Sequence, residues 1–320
     1  MTAPAPHRPP EGLTHQGLVY GSDEEFLAAT VPFCREGLAR GEAVLAVTTG
    51  TNIGLLRRAL DDVSGQVEYA DAQDWYQRPG ATLGAYHRWV DRRTAGGAHR
   101  RVRVIGEPVW RGRDALETAE WTRYESAVNV AFADCAAWII CPYDTRVLPP
   151  AVVADAHRTH PELATDGAAL VSDHYADPAD ADSVWSRPLA PVRAEGEDAV
   201  LSFGADLTDV RSFVADTATA LGLTPHKTPT LVFAVNEVAT NAVQHGGGAG
   251  RLVLRRCGPR IVADVVSAGP SHAAWYLGYL PPDPRQPRGH GMWAVRHLCD
   301  LLEVHTDDGA TTVRLHVGLD

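Results

Sequence analysis

The sequence has no Cys-x-x-Cys pair, no apolar run long enough to cross a bilayer, and no excess of basic residues. Each absence excludes something. Its five cysteines, Cys34, Cys135, Cys141, Cys257 and Cys299, are scattered and odd in number, so they read as buried small hydrophobes and not as a disulfide framework. With 40 acidic against 29 basic residues the formal net charge is −11, which removes any general attraction for nucleic-acid phosphates. The start, "MTAPAPHRPPEG", is Pro-rich and lacks the basic-then-apolar order of a signal peptide. It reads as a flexible tail over 1–12, and a cytoplasmic chain is expected. Also missing are a nucleophile elbow and a dinucleotide-binding fingerprint, which sets aside a plain metabolic α/β enzyme.

What is present is a globular composition, 45% hydrophobic and 22% charged, long enough for two domains. The stretch "ADPADADSVWSRPLAPVRAEGE" has no apolar periodicity and reads as a linker, placed at 179–196. It separates a first domain, 13–178, from a second, 197–320.

In the first domain, Phe26, Leu27, Val31, Phe33 and Leu38 recur at helical spacing, and Gly41 is a helix stop. The runs "AVLAVTT", "VRVIGE" and "AAWIICP" have strand length. Helix alternating with strand predicts an α/β layer on a mostly parallel sheet. The second domain opens with "AVLSFGAD" as a strand. A helix, "DVRSFVADTATALGL", follows, with Asp206 or Thr208 as its cap. Three strands, "GRLVLRRC", "RIVADVVSAG" and "TTVRLHVGL", come later, with a last helix, "GMWAVRHLCDLL", ahead of the third. That order predicts an α+β sandwich.

Between these lies a helix from Thr230 to His245 that carries chemistry. Leu231, Val235, Val238 and Ala242 share one face, for packing on the sheet. Glu237, Asn241 and His245 form an adjacent stripe at its margin. An Asn oxygen is a hard ligand suited to Mg²⁺, and a Glu one turn earlier is placed to accept a proton. Three glycines follow, leaving backbone room for phosphates. A solvated polar stripe with a Gly cap fits the same spacing.

Taken with "VVSAGP" (265–270) and "RGHGMWAV" (288–295), this helix resembles the ATP-binding domain of the histidine kinase, gyrase and heat-shock-protein superfamily, the Bergerat fold. Within it, the pattern is similar to the anti-sigma-factor serine kinase branch. Glu237, Asn241, His245 and Gly246 match that branch's helix motif, Gly269 the glycine of its Asp-x-Gly, and Gly289 and Gly291 its Gly-x-Gly. The resemblance spans about 120 residues and includes "RHLCDLLEV" and "TTVRLH". It implies Mg²⁺ on Asn241 and Glu237 as general base. It also implies backbone N–H groups at Gly289 and Gly291 facing phosphates, and a short lid with Arg285 or Arg288 near them. Ser267 stands where the family has the Asp that holds adenine, and His290 and Met292 stand where Arg and Leu are common. A neutral hydroxyl makes a weaker contact than a carboxylate. Asp264, three residues upstream, faces the other side of the strand. ATP and Mg²⁺ are therefore expected, with the adenine contact weakened.

The first domain resembles the MEDS sensory domain through "HQGLVYGSDEEFLAATVPFCREGLARGEAVLAVTT", "VRVIGEPVW", "YESAVNVAFAD", "IICPYD" and "HRTHPEL". That implies a relative of the RecA-like ATPases that senses a small molecule. After "AVLAV" comes "TTGTNIG", without the Gly-Lys-Ser/Thr of a phosphate loop, so no nucleotide hydrolysis is expected here. Candidate sensing residues are His15, Glu107, Glu125, Cys141, Tyr143, Asp144, His157 and His160. His157 and His160, three apart, suit one helix face, and as metal ligands they need partners such as Cys141 or His15 brought in by the fold. Capping and packing are commoner roles for His. Glu107, before Pro108, fits a ligand contact or a turn. Trp75, Trp89, Trp110, Trp121 and Trp138 read as core.

The combined expectation is a cytoplasmic regulator of transcription that senses a signal with its first domain and binds ATP·Mg with its second. By resemblance its partner is an anti-anti-sigma protein, phosphorylated on Ser or Thr, or a sigma factor. Homodimerisation is implied in the same way. The alternative is a non-catalytic, partner-binding protein with a degenerate nucleotide site. A histidine kinase needs a dimeric helical hairpin, and the short, Pro-rich linker does not supply one.

Overall fold

The computed structural model describes residues 12–165, 168–178, 180, 185, 188–269, 275–282, 290–307 and 309–319. The chain forms two compact units that divide between residues 179 and 180, with Arg78–Gly84 grouped with the second.

The elements of the first unit run β1 (Thr14–Tyr20), α1 (Asp23–Ala39), β2 (Ala43–Thr48), α2 (Gly50–Leu60), β3 (Val67–Asp71), α3 (Ala72–Trp75), α4 (Pro79–Thr94), β4 (Val102–Gly106), α5 (Ala115–Ala131), β5 (Ala137–Asp144), α6 (Pro150–Thr159), β6 (Glu162–Thr165) and β7 (Ala168–Val171). One sheet orders them β3-β2-β4-β5-β1-β6-β7. All its neighbours are parallel except the β6–β7 hairpin. The strands β2 and β4 are buried along their whole length, as expected of a sheet covered on both faces. Phe26, Phe33, Leu56 and Leu60 of α1 and α2 pack on one face with Val44, Ala46, Ile105 and Ile140.

The α1 boundaries follow from local chemistry. Ser22 accepts a hydrogen bond from the Glu25 N–H at 3.1 Å, and three acidic residues occupy the first turn. Beyond the end, Gly41 takes φ 72°, a left-handed value that a side chain disfavours. Inside the helix, Gly37 lets β4 approach: a methyl there would sit 2.7 Å from the Arg103 side chain. Arg103 is fully buried, donates to Glu42 at 2.5 Å and to the Phe33 carbonyl at 2.7 Å, and lies over the Trp138 ring. Of the five tryptophans read as core, Trp89, Trp110 and Trp121 are buried, while Trp75 and Trp138 are half-buried.

The second unit contains β8 (Ala199–Phe203), α7 (Thr208–Ala220), α8 (Thr228–His245), β9 (Gly250–Cys257), β10 (Arg260–Ala268), α9 (Gly291–Leu298), β11 (Leu301–Asp307) and β12 (Ala310–Gly318). Its five strands are all antiparallel, in the order β11-β12-β10-β9-β8. Alternate residues of one face, among them Leu252, Leu254, Ile261, Ala263, Val265, Leu302, Leu315 and Val317, form a single core with the apolar faces of α7, α8 and α9. The Leu231, Val235, Val238 and Ala242 stripe of α8 belongs to that core. Two expectations change. The last helix stops at Leu298, and Leu301–Asp307 is a strand paired with β12. The linker is partly packed: Trp185 is 1% exposed, and the Ala190 carbonyl accepts from Arg314 at 2.6 Å.

Candidate functional sites

In the second unit the three motifs meet at the C-terminal half of α8. Glu237 and Asn241 are partly buried and His245 is exposed at the last turn. The Glu237 carboxylate occupies the space a methyl on Gly291 would need, so the start of α9 is held against the middle of α8. One turn beyond Ala242, a methyl on Gly246 would lie 2.6 Å from the Ser267 hydroxyl and 2.7 Å from the Ala242 carbonyl. The end of α8 therefore abuts the end of β10 only because residue 246 has no side chain. Gly247, Gly248 and Gly269 take φ of 85°, 84° and 96°, left-handed values that a side chain disfavours.

The first turn of α9 has no side-chain cap: His290 lends its backbone N–H groups no acceptor. A helix start with uncapped N–H groups attracts anions. It sits beside an acid, Glu237, and the two glycines keep the junction free of side-chain bulk. A phosphate-bearing ligand fits such a corner, with Asn241 and Glu237 offering oxygen donors for an accompanying Mg²⁺. Asp264 takes no part. It points to the opposite sheet face, where it accepts from Arg314 at 2.7 and 3.0 Å and from Arg255 at 2.9 Å. Arg285, Arg288 and Gly289 lie outside the described residues. The described part of the expected lid, 275–282, packs on α9: Arg296 lies 3.9 Å from the Tyr279 ring centre and donates to the Leu277 carbonyl.

In the first unit the sensing candidates separate into four places. One is a fully buried cluster of His15 (β1), Glu125 (α5), Cys141 (β5) and His160 (just past α6). The register that sets Gly17 beside Cys141 puts His15 and Cys141 on one sheet face. Gly17 leaves room there for the His160 ring, which a methyl would approach to 3.3 Å. His15 Nε2 lies 3.4 Å from Cys141 Sγ and 3.9 Å from Glu125 Oε2, and His160 Nε2 lies 3.4 Å from the same oxygen. Tyr143 flanks them, its ring 5.7 Å from that of His160. Burial pushes the Glu125 carboxyl up to about 7. It also drives His15 down to about 3, helped by the adjacent His160, and His160 down to about 4. Both imidazoles are thus neutral at physiological pH.

The second place is Glu107, past the end of β4. Its buried carboxylate accepts from Thr48, from the Thr49 N–H at 3.3 Å, from Asn52 at 2.9 Å and from Tyr20 at 3.4 Å. Apart from Tyr20, which ends β1, these donors belong to the β2–α2 turn and its flanks, where a phosphate loop would bind its anion. An internal carboxylate takes that role, which agrees with the missing Gly-Lys-Ser/Thr. Burial raises the pKa of Glu107. Third, Asp144 is held at the surface by Arg146 at 2.8 Å, which lowers its pKa. Fourth, His157 lies apart from His160, in an open pocket with Pro150, Val153, Arg158 and His174. The helix ends between the two histidines, so their spacing does not align them.

Sequence reasoning did not single out Asn129, Asn52 or Gly17. Asn129 follows Glu125 by four residues, one turn further along α5, and that was its only signal.

Residues 14–161 match the family model of the MEthanogen/methylotroph, DcmR Sensory domain (MEDS), and residues 204–317 match that of the histidine kinase-like ATPase domain. Both matches fall on the two units described. The chain is a MEDS domain followed by a histidine kinase-like ATPase domain. No curated protein matches it. The pairing of a sensory-type domain with this ATPase domain makes it a signalling regulator, and no described helix is long and apolar enough to cross a membrane.

Proposed function

We propose that the second unit binds ATP·Mg²⁺ at the α8–α9–β10 junction and acts on a protein of a sigma-factor pathway, under control of a signal received by the first unit. The observation that carries this reading is the contact of Glu237 with Gly291 beside an uncapped helix start. Bound there, ATP supplies a transferable phosphoryl group and Mg²⁺ offsets its charge.

The chain's own residues divide the work. The amide oxygen of Asn241 holds the metal. The uncapped N–H groups of α9 orient phosphate oxygens. Glu237 accepts, at its carboxylate, the proton of a Ser or Thr hydroxyl on an anti-anti-sigma partner. Gly246 and Gly291 keep the junction open. Acidic net charge suits a protein partner better than DNA, and on this reading the protein works in the cytoplasm.

A second reading is favoured by one observation. Ser267 stands where the related family has its adenine-holding Asp, and the carboxylate three residues upstream, Asp264, is engaged by two arginines on the other face. On that reading the unit sequesters a sigma factor or its regulator without catalysis. Incubation with ATP, Mg²⁺ and anti-anti-sigma proteins separates the two. Phosphate transfer that Asn241→Ala abolishes supports the kinase. Partner binding that persists in Asn241→Ala, with no transfer by either protein, supports sequestration.

A further inference from the structure

We propose that His15, Glu125, Cys141 and His160 form a binding site for a divalent transition metal of the zinc type. The site is independent of the nucleotide site. Its four donor atoms lie within 4.8 Å of one another, and all four residues are buried. Zinc bonds to N, O and S place the corners of a ligand tetrahedron about 3.3–3.8 Å apart. The pairs His15–Cys141 and His160–Glu125 are at 3.4 Å and His15–Glu125 is at 3.9 Å, close to that spacing before any ion draws them together.

The outer contacts fix which nitrogens face inward. His15 Nδ1 meets Asn129 Oδ1 at 2.9 Å, and the Asn129 amide nitrogen donates to the Thr159 and Ser126 carbonyls, which settles its orientation. His15 Nδ1 is therefore the donor. His160 Nδ1 donates to the Ala156 carbonyl at 2.8 Å. Both rings carry their proton on Nδ1, leaving each Nε2 lone pair aimed into the cluster. This is the arrangement by which outer groups orient metal-binding imidazoles.

Two of the inward atoms, Glu125 Oε2 and His160 Nε2, are buried without a hydrogen-bond partner. Buried polar atoms without partners cost free energy. Two imidazole lone pairs and a carboxylate converging on one point suit a cation, and the thiol of Cys141 completes the set on losing its proton to solvent as the metal enters. Imidazole, thiolate and carboxylate together select zinc-like ions over Mg²⁺ or Ca²⁺. Four protein donors close the coordination sphere, which fits an ion that is held or sensed and not one that activates water.

The test uses the full-length chain, stripped with a chelator and titrated with Co²⁺. The expected result is saturation at a single equivalent, with intense visible bands of a tetrahedral ion and a near-ultraviolet thiolate-to-metal band, all displaced by Zn²⁺. Cys141→Ser loses the thiolate band. Asn129→Ala keeps the bands and weakens affinity about 10- to 100-fold. A folded wild-type chain that shows no tetrahedral bands overturns the proposal, and this arm needs no substitution. A thiolate band that survives in Cys141→Ser also overturns it, because another of the five cysteines then binds the ion.

Discussion

At the scale of the residue, the proposed nucleotide site turns on two positions. Gly246 touches Ser267 so closely that a methyl has no space. Gly246→Ala therefore costs about 1–3 kcal/mol by overpacking, measured by denaturant unfolding, and Ser267→Gly in the same chain restores only part of it, because the Ala242 carbonyl also lies 2.7 Å from the added methyl. Ser267 itself offers a neutral hydroxyl where a carboxylate would make a charge-assisted contact. Ser267→Asp should tighten ATP binding about tenfold, the difference between a neutral and a charged hydrogen bond, read by calorimetry. An unchanged affinity would mean that Ser267 does not face the base. The residues of the first unit's cluster were each nameable from the sequence. Their meeting was not, because it depends on β1 lying beside β5 and on a glycine, Gly17, that makes room for an imidazole.

At the scale of the element, the periodicity of α8 was legible because one face is apolar at regular spacing and buried. The strand β11 was not. Leu301 and Leu302 continue the apolar sequence after Leu298, so helix and strand look alike until the chain turns at Cys299 and Asp300. The short strands β6 and β7 gave no pattern, and β7 is exposed on every residue. The junction of α1 with β4 was hidden as well: a fully buried arginine in a strand is a poor match to any hydrophobic period. Glu42 is the charged partner of Arg103. Glu42→Gln leaves that guanidinium uncompensated and should destabilise the first unit by about 3 kcal/mol, seen as a lowered unfolding midpoint. A loss under 1 kcal/mol would show that the Phe33 carbonyl and the Trp138 ring suffice.

At the scale of the whole molecule, the sequence supplied both domains, since each carries several motifs in order and a Pro- and Asp-rich stretch lies between them. The packing of Trp185 within that stretch was not legible, because a lone aromatic has no period. The net charge of −11 predicts no retention of duplex DNA at physiological salt in a mobility-shift assay, and retention that falls steeply with added salt would reveal a hidden basic face. The central claim is a working nucleotide site at the α8–α9–β10 junction. It is tested most directly by calorimetric titration of the intact chain and of Asn241→Ala with ATP in the presence and absence of Mg²⁺. The account predicts Mg²⁺-dependent binding in the micromolar range that Asn241→Ala removes. No heat from either folded protein, or equal binding by both, would contradict it.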